Sequence, residues 1–438
     1  MMQNDGDAPA PGLMRKIIAL YFAAVFVALS ALPVSAGDIE RNASLESLIS
    51  EAVQNNPGLR SYKNKIEAYE QRPSQAGSLD DPRLKFAIAN LPADSFRFDQ
   101  EPMTQKQVQV MQKIPFPGKL NLKENIAVKD LAIARTEFEE AKNTLIRQVK
   151  VLYNTLLFLD RALKITGDNR SLLSEFIKTA ETRYATGQGG QRDILKARME
   201  LSRILQKIIV LKQKRETAVA RLNDLLNRAA MQSDLNIEGK LDQTHIVFNF
   251  DDLQKISEKT RPVLKGLKQK IEQSRMAIDL AEKEYYPDLD FGISYGQRDG
   301  GATGDRPDFL SASFTVNIPL WYRTKESKKV AEKKADQRTV EEKYIAMKNS
   351  ISFRLRELLS EVDMYSQEIE LFKTGLIPQS TLSFESALSG YTVNKVDFLT
   401  LINNQISLFN YKIEYYRAIA DHENSLAGLE ETVGKRLF

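Results

Sequence analysis

Two short stretches decide how this chain is read. The first runs Arg183-Tyr184-Ala185-Thr186-Gly187 and on through Gln188-Gly189-Gly190-Gln191-Arg192 to Asp193-Ile194-Leu195; the second runs Gly390-Tyr391-Thr392-Val393-Asn394 and on through Lys395-Val396 to Asp397-Phe398-Leu399. In both, a tyrosine closes a heptad-patterned helix, a residue tolerant of left-handed backbone follows, and an aspartate opens the next helix. Gly187 and Asn394 are the two residue types best suited to the position just past a helix C-terminus. Asp193 and Asp397 are expected as N-caps, their carboxylates accepting orphan backbone N–H groups. Taken alone, the motifs mark two helical hairpins with well-made turns. Their surroundings are duplicated too.

Outward from the first turn the apolar residues keep a seven-residue spacing. Leu131, Phe138, Leu145, Leu152 and Leu159 lead into it, with Ala134, Ala141 and Ala162 three positions later. Ile194, Ala197, Leu201, Ile204, Ile208, Leu211, Ala218, Leu222 and Leu225 lead away, with Arg215 as the intruder. Around the second turn, Ile351, Leu355, Leu358, Val362, Tyr365, Ile369 and Phe372 precede, and Leu399, Ile402, Ile406, Phe409, Ile413, Tyr416 and Ala420 follow. Sustained heptads specify coiled-coil seams rather than globular helices. A helix from Leu120 to Thr166 is about 70 Å long at about 1.5 Å per residue, so an elongated molecule is expected. Breaks are expected at Thr166-Gly167-Asp168-Asn169 in the first half and at Gly375 and Pro378 in the second.

Ahead of each long helix the period falls to two. Leu84, Phe86 and Ile88 alternate with Lys85, Ala87 and Ala89, and Val108, Val110, Ile114 and Phe116 alternate with Gln107, Gln109, Met111 and Lys113. In the second half Leu289, Phe291, Ile293 and Tyr295 alternate with Asp290, Gly292, Ser294 and Gly296. Leu310, Ala312, Phe314, Val316, Ile318 and Leu320 then alternate with Ser311, Ser313, Thr315 and Asn317. These are four strands with one apolar and one polar face. Ile114-Pro115 and Ile318-Pro319 end the pairs, and Asn56-Pro57 and Arg261-Pro262 break the helices before them. The organisation predicted is an internal repeat: 37–245 (helix, strand pair 83–117, helices 119–230) and 246–438 (helix, strand pair 288–321, helices 323–434).

Composition excludes several functions. The 438 residues carry a net charge of only +4 with both signs interspersed, so no nucleic-acid footprint is present. There is no cysteine and there are two distant histidines, His245 and His422, so a tight transition-metal site and thiol chemistry are not expected. No nucleophile–base pair or carboxylate pair recurs at usable spacing, and no cofactor is implied. Residues 14–36 read as a secretory signal: Arg15-Lys16, the apolar stretch Ile17 to Leu32, and Val34-Ser35-Ala36 as the cleavage site. Residues 1–13 precede this region, which makes Met14 a second candidate start. No later segment is long and apolar enough for a transmembrane helix, so strands must cross any membrane this chain enters. Four strands are too few to close a wet pore, so a barrel requires several chains.

The doubled helix–strand–strand–helix plan and the two tyrosine-to-aspartate turns resemble the TolC family of outer-membrane efflux proteins over residues 40–434. The segments Asp81-Pro82, Asn90-Leu91-Pro92, Ser95-Phe96-Arg97 and Pro115-Phe116-Pro117-Gly118-Lys119 are most similar to its heavy-metal branch. The resemblance implies a homotrimer whose twelve-strand barrel spans the outer-membrane lipid and continues into a twelve-helix periplasmic tunnel. It also implies a periplasmic adaptor and an inner-membrane pump of the resistance-nodulation-division type as partners, and passive export without chemistry.

Carried over by motif, the family's gate falls on Tyr391, Lys395 and Asp397, with Arg183, Tyr184 and Asp193 on the other hairpin; adaptor contact falls on Thr186, Gly187, Val393 and Asn394. Three copies of Asp397 at one axis would form a cation-attracting ring. Two departures are expected: Thr400 stands where the family often has a second acid, and Gln188-Gly189-Gly190 lengthen the first turn. The competing readings are a periplasmic adaptor, for which one hairpin would be expected, and a secreted coiled-coil structural protein, against which the four strands speak.

Overall fold

The computed structural model describes residues 43–229, 235, 237–301 and 304–437. The signal region with its cleavage site, both candidate starts and Phe438 lie outside them. Helices α1 (Leu45–Asn55), α2 (Pro57–Glu70) and α3 (Arg72–Gly77) lead to strands β1 (Arg83–Ala89) and β2 (Gln105–Ile114). Helix α4 (Lys119–Ala185) and helix α5 (Gln191–Leu226) form the first hairpin. The second half presents α6 (Phe250–Thr260), α7 (Pro262–Lys283), β3 (Leu289–Gln297) and β4 (Phe309–Val316). It continues through α8 (Glu326–Leu371), a π-helical turn (Phe372–Leu376), α9 (Ile377–Thr392) and α10 (Phe398–Val433).

The prolines work as expected of helix starts. Asn56 accepts the Leu59 N–H at 3.0 Å and Pro57 opens α2, where its missing N–H costs nothing. The same Asn56 amide donates to the Leu225 carbonyl at 2.9 Å, tying the joint to the returning helix. At the second joint Pro262 opens α7, and the Thr260 hydroxyl donates to the Val433 carbonyl at 2.6 Å.

All four strands join one antiparallel sheet in the order β1-β2-β3-β4, so the two halves pair through β2 and β3. Register places Leu84 beside Val110, Val110 beside Ile293 and Ile293 beside Ala312; one step on, Phe86, Val108, Tyr295 and Leu310 align. The apolar residues therefore share one face. Nothing among the described residues covers it: Phe86 is 72% exposed and Leu310 78%. The opposite face carries Lys85, Gln107, Gln109, Ser294, Ser311 and Ser313. β1 and β4 are open edges.

The sheet meets the helices at a charged knot. Asp288, just ahead of β3, accepts the Phe116 N–H at 3.0 Å and the buried Lys119 ammonium at 2.7 Å, with Lys113 at 3.4 Å. Phe116 stacks on Tyr286 with centroids 4.5 Å apart.

The core follows the heptads. Leu145, Val149, Leu156, Leu159, Leu211, Ala218 and Leu222 bury the α4–α5 seam, and Ala134 and Ala162 are buried where small residues let helices approach. Leu355, Leu358, Val362, Leu426 and Leu429 form the corresponding cluster in the second half. Each such side chain contributes about 1.5–3 kcal/mol when fully buried. The intruder Arg215 lies beside Asp160 at 2.5 Å and donates to the Leu235 carbonyl at 3.2 Å, so its charge is answered.

The first expected break is absent. α4 runs 67 residues without interruption, about 100 Å at about 1.5 Å per residue. Glycine weakens a helix without ending it, and two of its polar neighbours are bonded in place. The Thr166 hydroxyl donates back to the Ala162 carbonyl at 2.6 Å, and Asn169 accepts the Gln405 amide across the packing interface at 2.6 Å. The second expected break is a wound-out turn rather than an end. Pro378 cannot supply its N–H, and the π turn absorbs the misfit, with the Ile377 N–H donating to the Phe372 carbonyl five residues back.

Candidate gate at the helical tip

Both turns close with the same backbone bonds. Gln188 N–H donates to the Arg183 carbonyl at 2.8 Å and Gly187 N–H to the Tyr184 carbonyl at 3.0 Å. Lys395 N–H donates to the Gly390 carbonyl at 2.8 Å and Asn394 N–H to the Tyr391 carbonyl at 3.3 Å. This is a Schellman cap twice over, with Gly187 at φ 73° and Asn394 at φ 61° supplying the left-handed residue. Glycine and asparagine were read correctly.

The aspartates divide. Asp397 is the N-cap of α10, its carboxylate accepting the Thr400 N–H at 2.6 Å. Asp193 is not an N-cap: Gly190 holds that position without a side-chain bond, and Asp193 lies in the first turn of α5. The two turns are also equal in length, Gly187 to Gly190 matching Asn394 to Asp397, so the first has no extra residues. Taking Asp193 as the counterpart of Asp397 created the apparent insertion. Gly190 stands opposite Asp397, and Asp193 opposite Thr400.

Arg183 joins the hairpins. Its guanidinium donates to the Tyr391 carbonyl at 2.7 Å and sits 4.4 Å from the Tyr391 ring centroid. Tyr391 is 8% exposed and packs at 5.5 Å on Phe398. Tyr184, at the equivalent position of the first turn, is 49% exposed and takes no part in this contact. Below the contact lie Leu173, Phe176, Ala180, Ala197, Leu401 and Ile402, an apolar cluster from both hairpins. Above it opens a groove of about 730 Å³ whose walls include Arg183, Gly187, Arg192, Asp193, Lys395 and Asp397. Thr186, Gly187, Val393 and Asn394 are exposed on its rim.

Electrostatics at the tip follow from these partners. The Thr400 N–H and then its side chain hold the Asp397 carboxyl below the usual aspartate range, with Arg192 adding to the effect. Burial pushes the Tyr391 hydroxyl up, against the pull of Arg183. Arg192 lies 4.0 Å from Asp193. Arg192 and Phe398 went unnoticed in the sequence, since neither interrupts a heptad. A Cβ at Gly390 would meet the Val396 side chain at 2.5 Å, so Val396 packs directly over this glycine. Among the described residues no group of three or more His, Asp or Glu side chains is placed to hold a metal ion.

The profile of the family described as "Outer membrane efflux protein" matches residues 48–228. Over that segment the chain resembles this family, the outer-membrane efflux proteins of the TolC type. It is 20% identical over 406 residues to the cobalt-zinc-cadmium resistance protein CzcC of Cupriavidus metallidurans, covering 93% of each chain. Its fold matches the outer-membrane channel OprN with a TM-score of 0.76 at 13% identity, covering 90% of each chain. It matches the outer membrane protein VceC of Vibrio cholerae with a TM-score of 0.75 at 15% identity, covering 89% of this chain and 96% of that one. Its fold is thus that of the outer-membrane channel OprN. Proteins of the outer-membrane efflux family work with an adaptor and a pump in tripartite systems.

Proposed function

We propose that three copies of this chain close into one exit duct, twelve strands through the outer membrane and twelve helices beneath. The observation that carries this reading is the sheet. It exposes an uncovered apolar face, a polar face opposite, and two open edges. Unpaired edges are not tolerated in lipid, so β4 of one copy must pair with β1 of the next. The helices carry matching edges. Leu195, Met199, Leu205 and Ile209 form an exposed apolar stripe on α5, and Phe353, Met364 and Leu371 form one on α8. Contact between copies along these stripes continues the ring that the strands begin.

The two halves act as an internal repeat within each copy. The long first arms start at 119 and 326 and end at 185 and 392; the return helices start at 191 and 398 and end at 226 and 433. Each of the four pairs is offset by 207 residues.

The tip is the closable end. Arg183 and Tyr391 hold the hairpins together, Asp397, Asp193 and Lys395 set the charge around the axis, and Tyr184 faces outward. Thr186, Gly187, Val393 and Asn394 meet the adaptor, which shifts the tip toward its open state. The pump is of the resistance-nodulation-division type. The cargo is metal cations, a reading supported by the likeness to a cobalt-zinc-cadmium resistance protein. The adaptor and secreted-rod readings lose support, since neither accounts for the sheet.

The assembly is tested by the mass of protein extracted from outer membranes in mild detergent. Three chains per particle are expected. A monodisperse single chain, or recovery only from the soluble fraction, contradicts the reading.

A further inference from the structure

The two strand pairs return to their helices through connections of unequal length. Pro115 is followed by three residues (116–118) before α4, and Pro319 by six (320–325) before α8. The shorter connection is used up inside the protein, with Phe116 stacked on Tyr286. The longer one is not. Ile318 is 65% exposed, Leu320 71% and Trp321 75%. Ile318 and Leu320 follow the last paired residue of β4, with the chain turning at Pro319 as the Leu320 N–H donates to the Ile318 carbonyl at 2.9 Å.

This segment is held in shape. The Trp321 carbonyl accepts the Thr324 and Lys325 N–H groups, each at 3.0 Å, and the Tyr322 carbonyl accepts the Ser327 N–H at 2.8 Å. Apolar side chains are thus displayed on a tight turn without being buried. Cations follow at once. The Arg323 guanidinium lies 5.9 Å from the Tyr322 ring and makes no ion pair among the described residues, nor does Lys328. The Lys325 side chain is 78% exposed and only 3.6 Å from its neighbour Glu326.

We propose that residues 318–328 form an interfacial anchor for the inner leaflet of the outer membrane, seating anionic phospholipid headgroups. Reading away from the barrel, the order is aliphatic, then Trp and Tyr, then cations. That order matches the depth profile of a leaflet: acyl chains, the interfacial zone where amphipathic rings settle, and the phosphate plane. Each cation near an anionic surface is worth roughly a fivefold preference. The anchor rests on the barrel reading, because only a sheet lying in lipid brings this turn to headgroup depth.

Trp321 is the one tryptophan of the chain and reports on itself. The full-length protein is reconstituted into phosphatidylethanolamine vesicles containing phosphatidylglycerol, with bromine placed either near the headgroup or deep in the acyl chains. Trp321 emission is expected to be blue-shifted and quenched most by the shallow bromine. Brominated phosphatidylglycerol should quench better than brominated phosphatidylethanolamine. The triple variant Arg323→Glu, Lys325→Glu, Lys328→Glu should lose that lipid preference by tenfold or more while keeping shallow quenching. A second variant, Trp321→Phe with Phe314→Trp, moves the reporter to the strand face, where deep bromine should quench it. If Phe314→Trp is quenched and Trp321 is not, a neighbouring copy covers the turn and the anchor is overturned while the barrel stands. If neither is quenched, the barrel reading fails. Equal quenching by both lipid classes in the wild type overturns the anionic preference.

Discussion

The two long arms occupy the same span and differ in how they cross it. α4 crosses 67 residues as one unbroken helix; α8, the π turn and α9 cross 46, 5 and 16 residues, the same total. The unbroken arm ends at the exposed Tyr184. The interrupted arm ends at Tyr391, the residue gripped by Arg183. The π turn therefore lies in the arm whose tip is gripped, and the plain helix in the arm that supplies the grip. The difference separates a stiff strut from an adjustable one.

The largest effect is expected from making the arms alike. Ser171 stands opposite Pro378 under the 207-residue offset and faces solvent. Ser171→Pro should destabilise the strut by about 3 kcal/mol or more, seen as a lower urea midpoint. Unchanged stability would mean that α4 accepts a π turn as readily as its partner, and the contrast would dissolve.

Next comes the grip itself. Arg183→Ala removes a charge-assisted bond worth about 1.5–3 kcal/mol in each copy, so single-channel recordings should show more time in the conducting state. No change in open time would remove Arg183 and Tyr391 from the gate.

Smaller effects separate the two turns. Asp397→Ala should lower the unfolding midpoint modestly by leaving the start of α10 uncapped. Its pH dependence has a definite sign. Because the folded carboxyl is held below its ordinary value, the cap contributes fully at neutral pH and is lost as pH falls through that depressed value. Wild type and variant should therefore differ in unfolding midpoint at pH 7 and converge in acid. Smallest is the converse change, Gly190→Asp, which gives the first turn the cap it lacks and should gain a few tenths of a kcal/mol. A loss on that substitution would show that the first turn needs the bare backbone of Gly190.

Much of this was legible in the sequence because the signals were periodic. Period-two alternation gave all four strands and their apolar face, and the heptads gave much of the buried seams, although Leu399 is exposed and Leu401 is buried instead. Left-handed Gly187 and Asn394 announced themselves because few residues tolerate that backbone. The misreadings share a cause. At Thr166 to Asn169 a glycine among polar residues looks like a terminus, yet the bonds from Thr166 and Gln405 that hold those residues in the helix come from packing. Asp193 was favoured as a cap over Gly190 by side-chain chemistry, which shifted the first turn by three residues. Tyr184 and Tyr391 are alike in motif and opposite in burial, a distinction made only when the hairpins pack.

The central claim is that copies of this open-edged sheet close into a wet cylinder continuous with the helical tunnel. Conductance of the purified protein in a planar bilayer tests it most directly. Stable unitary steps are expected, scarce in the wild type and more frequent in Arg183→Ala. A trimer that inserts but passes no ions in either form would contradict the account.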